Sequence, residues 1–346
     1  MTRSLSIAIV TDAWAPQVNG VVHTIGRTHD ELIAAGHRPT ILSPQSFRSI
    51  PCPTYPEIRL AIFPYRRLAA RLEALRPDAI HIATEGPLGH AARRYCLKRN
   101  LPFTTAYHTR FPEYIAARFG LPISLSYAWL RRFHNAAQAV MVATPSIEAE
   151  LREKGFQRIK RWSRGVDTRL FRPRPRANAQ QPLGDLPRPV HLYVGRLAVE
   201  KNLEAFLSLD LPGSQVVIGD GPAQDQLRAR FPKAHFFGKQ IGEDLAQLYA
   251  AADVFVFPSL TDTFGLVILE ALASGVPVAA YPVAGPRDII REGVSGALDA
   301  DLAAAIARAR ALSRLQCRAE AERFSWKAAT QQFLANLALV PARLFG

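Results

Sequence analysis

Two doubly wound α/β domains are the architecture that this 346-residue chain predicts. Three observations carry the expectation. Short apolar runs alternate with helical stretches from the first residues to beyond 280, the strand–helix–strand rhythm of parallel sheets. The length suffices for two separate cores. Residues 172–189 (RPRPRANAQQPLGDLPRP) hold five prolines and no helical or strand period, so they read as a linker between two rounds of that rhythm.

In the first half, Leu5 to Val10 is an apolar strand and Thr11 to Gly20 a loop carrying Pro16 and Asn19-Gly20. A helix follows to Gly36, which suits a C-cap. His37 to Ser43 is a second strand, and the proline-rich residues 44–59 read as an ordered loop. A basic helix from Arg66 to Leu75 stops at Pro77, and Asp78 to Ala83 is the third strand. Gly86 to Asn100 is helical, and Pro102 to Tyr107 and Ala139 to Ala143 are strands. The second half places strands at 190–194, 215–218, 234–237, 253–257 and 277–280. The domains are therefore expected at 1–171 and 190–325.

Composition narrows the class. With 48% hydrophobic residues and mixed charge the chain is a soluble globular protein. Cys52, Cys96 and Cys317 are too few and scattered for a disulfide framework or a zinc site, which points to a reducing cytosol. The N-terminal apolar run meets Asp12 too soon for a signal peptide. The most apolar window, 264–284, contains Glu270, Gly275 and two prolines, which argues against a membrane span. The net charge of +14 is lopsided: residues 1–173 hold 25 Lys+Arg against 12 Asp+Glu. The first half is expected to face something anionic. Its basic residues are dispersed and no nucleic-acid recognition motif appears, so no nucleic-acid partner is expected.

The most informative stretch is 257–282, FPSLTDTFGLVILEALASGVPVAAYP. A strand ends at Pro258, Ser259 to Thr263 form a loop, and Phe264 to Ala273 reads as a helix stopped by Gly275 and Pro277. Thr261, Asp262 or Thr263 can each cap that helix. A helix N-terminus beyond a strand's C-terminal end is where parallel-sheet folds receive phosphate-bearing ligands. Two carboxylates stand out, Asp262 before the helix and Glu270 eight residues later. Taken singly, they read as a cap and a solvated helix residue.

Together they resemble the E-x7-E signature of the retaining GT-B glycosyltransferases of family 4, where the motif commonly reads PSxxExFGxxxxEAMAxGxPV. The match runs through Pro258, Ser259, Phe264, Gly265, Glu270, Ala271, Ala273, Gly275, Pro277 and Val278. The departure is Asp262, where the family usually has Glu. VGRLAVEKN matches the family's GRLxxEKN without a gap and supplies Arg196 and Lys201. A departing diphosphate needs positive charge, which an arginine and a lysine can provide without a metal. Residues 82–89 (IATEGPLG), 106–114 (AYHTRFPEY) and 162–167 (WSRGVD), with 54–60 (TYPEIRL) and Thr-Asp-Thr-Phe-Gly, resemble a narrower group. These are the sulfolipid synthases and the bacterial diacylglycerol glucuronosyl- and glucosyltransferases; the GDP-mannose-dependent mannosyltransferases are close relatives.

The resemblance implies two Rossmann-like domains facing across a cleft, with a last helix in 326–346 crossing back to the first. It implies a nucleotide-sugar donor and a membrane lipid acceptor. Glu270 is expected to accept hydrogen bonds from the donor ribose. Asp262 and the amides of Phe264, Gly265 and Leu266 are expected to hold the transferred sugar, and Gly20 to lie against the diphosphate. Gly221, in Gly219-Asp220-Gly221-Pro222, brings backbone toward the nucleotide base or simply makes a tight turn. His108 ends a strand and either meets the sugar or serves as hydrogen-bonded scaffold. Asp299-Ala300-Asp301 has the spacing of a metal-binding D-x-D but precedes a helix, so it reads as capping and no metal or cofactor is expected. Residues 111–133 interleave aromatics with arginines, either as an amphipathic helix pair packed on the domain or as a rim for lipid. Trp129, Arg131 and Arg132 are the candidates there for contact with an anionic membrane surface, at the inner face of the cytoplasmic membrane.

Overall fold

The protein is described by a computed structural model over residues 3–17, 19–52, 55–110, 122–175, 183–341 and 344. Two compact units emerge: Met1–Arg164 with Trp326–Gly346, and Gly165–Ser325.

The first unit contains β1 (Ser6–Val10), β2 (Arg38–Leu42), β3 (Ser49–Cys52), β4 (Tyr55–Ala61), β5 (Ala79–Ile82), β6 (Thr104–Tyr107), β7 (Ala139–Val142) and β8 (Ile159–Arg161). Six of these form a sheet in the order β2-β1-β5-β6-β7-β8, every neighbour parallel. Strands such as AIHI in β5 and AVMV in β7 are buried on both faces, as helix-covered parallel strands must be. The covering helices include α1 (Gly20–Ala34), α2 (Tyr65–Leu75), α3 (Pro87–Lys98), α4 (Ile123–His134) and α5 (Pro145–Glu153). The chain's last helix, Trp326–Asn336, belongs to this unit too: Phe333 packs edge-on against His81, Trp326 lies on His23, and Val340 N donates to Asp78 O at 2.8 Å.

The second unit contains β9 (Val190–Val194), β10 (Ser214–Ile218), β11 (His235–Gly238), β12 (Val254–Phe257), β13 (Val278–Ala280) and β14 (Gly296–Leu298), in the order β11-β10-β9-β12-β13-β14, again all parallel. Its helices are α6 (Leu203–Leu207), α7 (Gln224–Arg230), α8 (Gly242–Ala251), α9 (Leu266–Ala273), α10 (Pro286–Ile289), α11 (Leu302–Ala309) and α12 (Arg314–Ala321); Trp326–Asn336 is then α13. Leu192 pairs with both Val216 and Phe255, so β9 is central. The loops leaving β9 and β12 are thereby neighbours at the C-terminal edge of the sheet.

Three expectations need correction. Residues 44–59 are not simply loop: Ser49↔Ala61 and Ile50↔Leu60 pair β3 with β4 antiparallel, and Pro51 and Pro56 sit in a two-stranded ribbon where few ladder bonds are lost. The unit boundary lies at Arg164/Gly165 rather than in 172–189. Residues 165–171 pack with the second unit, because Val166 N donates to Phe324 O, Arg318 donates to Thr168 O and Phe171 O, and the Phe171 ring meets Tyr249 edge-on. Finally, α9 begins at Leu266, not Phe264. Among the described residues no helix is long and apolar enough to cross a membrane.

Candidate functional site

In the second unit, the loop after β9 and the loop after β12 are stitched together. Asn202 Nδ2 donates to Pro258 O at 3.1 Å, and Thr261 Oγ1 donates to Glu200 O at 3.5 Å. At their junction Lys201 Nζ donates to Asp262 Oδ1 at 2.6 Å, and both side chains are about one-fifth exposed (21% and 19%). The other carboxylate oxygen, Oδ2, is buried and has no hydrogen-bond partner among the described residues. A desolvated acceptor without a donor is costly, and a ligand hydroxyl that reached this oxygen would relieve it. Arg196 stands in the same β9 loop, its carbonyl accepting from the Tyr193 hydroxyl at 2.9 Å.

None of the three expected caps starts α9. The N-cap is Gly265, at φ 93, with no side-chain cap bond, while the Phe264 ring is buried edge-on to Phe324. Asp262 is thus released from capping and committed to Lys201. Gly285, which the sequence did not single out, keeps this loop in place. At φ 90, a β-carbon there would stand 2.9 Å from Asp262 O and 3.0 Å from Phe264 O. Gly285→Ala is expected to cost about 1–3 kcal/mol in stability and to lower turnover by displacing Asp262. Unchanged melting temperature and turnover would contradict that.

Glu270, on α9, accepts from the Tyr249 hydroxyl at 3.0 Å. Burial pushes its pKa up to about 7, against the smaller lowering effect of the tyrosine bond. It is a partly exposed carboxylate poised to lose its proton near neutrality, not a solvated surface acid.

Gly221 proves to be a packing glycine. A β-carbon would come within 2.3 Å of Leu197 O, because Leu197 N donates to Asp220 O at 2.8 Å and Ala223 N to Leu197 O at 2.9 Å. The β10 loop therefore buttresses the β9 loop that carries Arg196. The D-x-D is a cap: Asp301 Oδ1 accepts from Ala303 N, Asp299 Oδ1 accepts from Asp301 N, and Asp299 pairs with Arg308 at 3.2 Å. Among the described residues no group of three His, Cys, Asp or Glu side chains has metal-binding geometry.

In the first unit, His108 follows β6. Arg164 Nη2 donates to its Nδ1 at 3.1 Å, and the Arg164 guanidinium lies 4.5 Å over the Trp162 ring while donating to the Trp162 and Ser163 carbonyls. A guanidinium only donates, so Nδ1 is the acceptor and Nε2 carries the proton. Burial, then the Arg164 charge, holds the His108 pKa well below the usual histidine range. His108 is accordingly a neutral donor. Gly20 is the first residue of α1, whose cap is Asn19, its side-chain oxygen accepting from Val21 N and Val22 N at 3.0 Å each. Asp12 closes the start of α3 in the same way, accepting from Leu88 N and Gly89 N; burial raises its pKa to about 6.

On α4, Trp129 is 49% exposed and tilted against His90, Arg132 is exposed, and Arg131 is exposed but donates to Lys154 O at 3.0 Å. The rest of the aromatic–arginine stretch, 111–121, lies outside the described residues. A cavity of about 230 Å³ opens beside the β1–α1 loop, lined by Trp14, Gln17, Gln45, Phe47, Ser49 and Arg59 among others. Tyr193, Tyr249, Asn202, Arg164 and Gly285 are the residues that sequence reasoning missed. Arg164, as part of WSRGVD, and Asn202, as the last residue of VGRLAVEKN, had a signal.

Comparison with known proteins gives the following. Residues 18–170 match the family described as Glycosyltransferase Family 4, and residues 188–315 that described as Glycosyl transferases group 1. A GDP-mannose-dependent alpha-mannosyltransferase of Mycobacterium tuberculosis is 31% identical over 84% of this chain and 83% of its own. A sulfoquinovosyl transferase of Arabidopsis thaliana is 33% identical over 82% of this chain and 61% of its own. The alpha-monoglucosyldiacylglycerol synthase of Streptococcus pneumoniae is 28% identical over 88% and 78%. In structure, a sucrose-phosphate synthase of Thermosynechococcus elongatus superposes with a TM-score of 0.76 at 23% identity, over 96% of this chain and 98% of that one.

Proposed function

Since the chain belongs to glycosyltransferase family 4 and has the GT-B fold, we propose that it moves a hexose or hexuronic acid from a UDP-sugar to a membrane lipid, diacylglycerol in the simplest case, with retention and without a metal. The single observation behind the assignment of roles is the Lys201–Asp262 pair, with its second oxygen buried and without a hydrogen-bond partner among the described residues.

In this reading Asp262 Oδ2 accepts a hydroxyl of the transferred sugar, and the Phe264, Gly265 and Leu266 amides meet the same group. Arg196 and Lys201 stabilise the negative charge that develops on the diphosphate. Glu270, once ionised, accepts from both ribose hydroxyls. Gly20 gives backbone access to the diphosphate in the first domain, and the Nε2–H of His108 donates to a hydroxyl there. The bond from the sugar's C1 to the phosphate oxygen breaks as the acceptor oxygen bonds C1 on the same face. The acceptor's proton passes to the departing phosphate oxygen, so no protein nucleophile is required.

The lipid acceptor is supported by the excess positive charge of residues 1–173, by the exposed Trp129 and Arg132, and by the relative whose name carries a diacylglycerol. The mannosyltransferase relative favours one second reading, GDP-mannose as donor. The test offers the enzyme a UDP-sugar with either diacylglycerol in mixed micelles or a soluble monosaccharide, with EDTA throughout. Faster glycosylation of diacylglycerol is expected. Activity lost in EDTA and restored by magnesium or manganese would end the metal-free assignment; preference for the soluble sugar would end the lipid one.

A further inference from the structure

The first unit carries a surface that no role above uses. At the end of the β3–β4 ribbon, Phe63 is 95% exposed, and its backbone lies at φ 47. A bulky non-glycine residue in the left-handed region is strained, and an exposed phenyl ring forgoes burial. Folding alone rewards neither. Ile50 and Ile62 stand beside it, 50% and 38% exposed, held by the Ile50↔Leu60 pairing and by Ile62 N donating to Arg48 O at 2.8 Å. This open end of the ribbon, opposite the Cys52↔Tyr55 pair, is thus a small apolar wedge on a braced base.

Its surroundings are cationic. Arg48, Arg66 and Arg67 are exposed around the wedge, and from residue 32 to residue 72 the sequence holds a single acid, Glu57. The face also continues sideways: on α3, Arg94 and Lys98 lie over the Tyr65 ring of α2 at 4.8 and 5.7 Å, and Arg93 donates to Arg132 O of α4. An apolar tip ringed by arginines on flexible stems has the chemistry of the headgroup boundary, where rings enter the acyl edge and guanidinium groups meet phosphate. Three apolar side chains fall short of the area that a stable protein interface buries, whereas a charged bilayer needs only a small inserted area plus electrostatic attraction.

We infer that the open end of the β3–β4 ribbon and the first turn of α2 form a docking wedge for an anionic lipid bilayer, with Phe63 as the inserting residue. The inference rests on the membrane-lipid reading above and adds a contact separate from α4. The same ribbon lines the 230 Å³ cavity through Ser49 and Arg59.

The test is flotation of the full chain with phosphatidylglycerol or phosphatidylcholine vesicles. Wild type is expected to float with the first and not the second, and to be released by salt. Phe63→Ser should weaken the partition constant about tenfold or more. Arg66→Gln with Arg67→Gln should weaken it about tenfold to thirtyfold at low salt and little at high salt. Unaltered UDP binding by these variants shows that they fold. Phe63→Trp should add tryptophan emission that brominated phosphatidylglycerol quenches. Flotation unaffected by all three substitutions, or absence of flotation by the wild type, overturns the wedge. Glycosylation of diacylglycerol in detergent, measured in parallel, reports separately on the lipid reading. Self-association abolished by Phe63→Ser, without flotation, would assign this end of the ribbon to a second copy of the chain and overturn bilayer docking.

Discussion

Lys201→Ala is expected to lower turnover by about two to three orders of magnitude, the scale of losing one preorganised charge at a developing anion. The loss has two parts. In the proposed roles the diphosphate forfeits its ammonium, and Asp262 forfeits the partner that holds Oδ1 at 2.6 Å and leaves Oδ2 for the sugar. Asp262→Asn should reduce turnover more than it reduces binding of free UDP, because UDP carries no sugar. Since the two residues act as one unit, the double variant should be little worse than Lys201→Ala alone. Strictly additive losses, or a Lys201→Ala enzyme with wild-type turnover, would show that the ion pair is structural.

Glu270→Gln is expected to show effects of opposite sign on binding and stability. Affinity for the UDP-sugar should fall by about 1–3 kcal/mol above pH 7, as two hydrogen bonds to a carboxylate weaken. In wild type that affinity should decline as pH falls through about 7, where Glu270 takes up its proton, and the variant should be flat. The stability sign follows from a carboxyl whose folded pKa is raised from 4.5 to about 7 by burial. Below 4.5 both states hold the proton and nothing is lost. As pH rises from 4.5 to 7 the unfolded chain releases it first, so wild type loses stability, and above 7 the penalty is complete. The variant lacks this penalty. It should melt above wild type at pH 8 and converge with it near pH 4.5. A lower melting temperature at pH 8 with unchanged donor affinity would mean that the Tyr249 contact is merely part of the core.

What could be read from the sequence was whatever lies close together in it. The strand–helix alternation, the strand before Pro258, the helix stop at Gly275 and the capping role of Asp301 all depend on neighbours within a few residues, and periodicity reports those. The E-x7-E spacing brought out Asp262 and Glu270 because both belong to one loop–helix unit. The Lys201–Asp262 bond spans 61 residues and waits on the β9–β12 register, while Tyr249–Glu270 spans 21 and waits on the packing of α8 against α9. Arg164 on His108 is a link of 56 residues, and it settles the imidazole tautomer, which no local pattern reports. The β3–β4 ribbon was hidden by its own prolines, which read as loop signals. The α9 cap was misread because three good capping residues precede a glycine whose left-handed backbone takes the position instead.

The central claim is sugar transfer from a nucleotide donor to a lipid, and a donor panel tests it most directly. The enzyme is given diacylglycerol in vesicles, EDTA, and in turn UDP-glucose, UDP-glucuronate, UDP-sulfoquinovose or GDP-mannose; the lipid product is isolated and its anomeric configuration read by proton coupling. One of the three UDP-sugars should yield an α-linked glycolipid. A glycolipid from GDP-mannose alone, a β-linked product, or no glycolipid from any of the four would contradict the account.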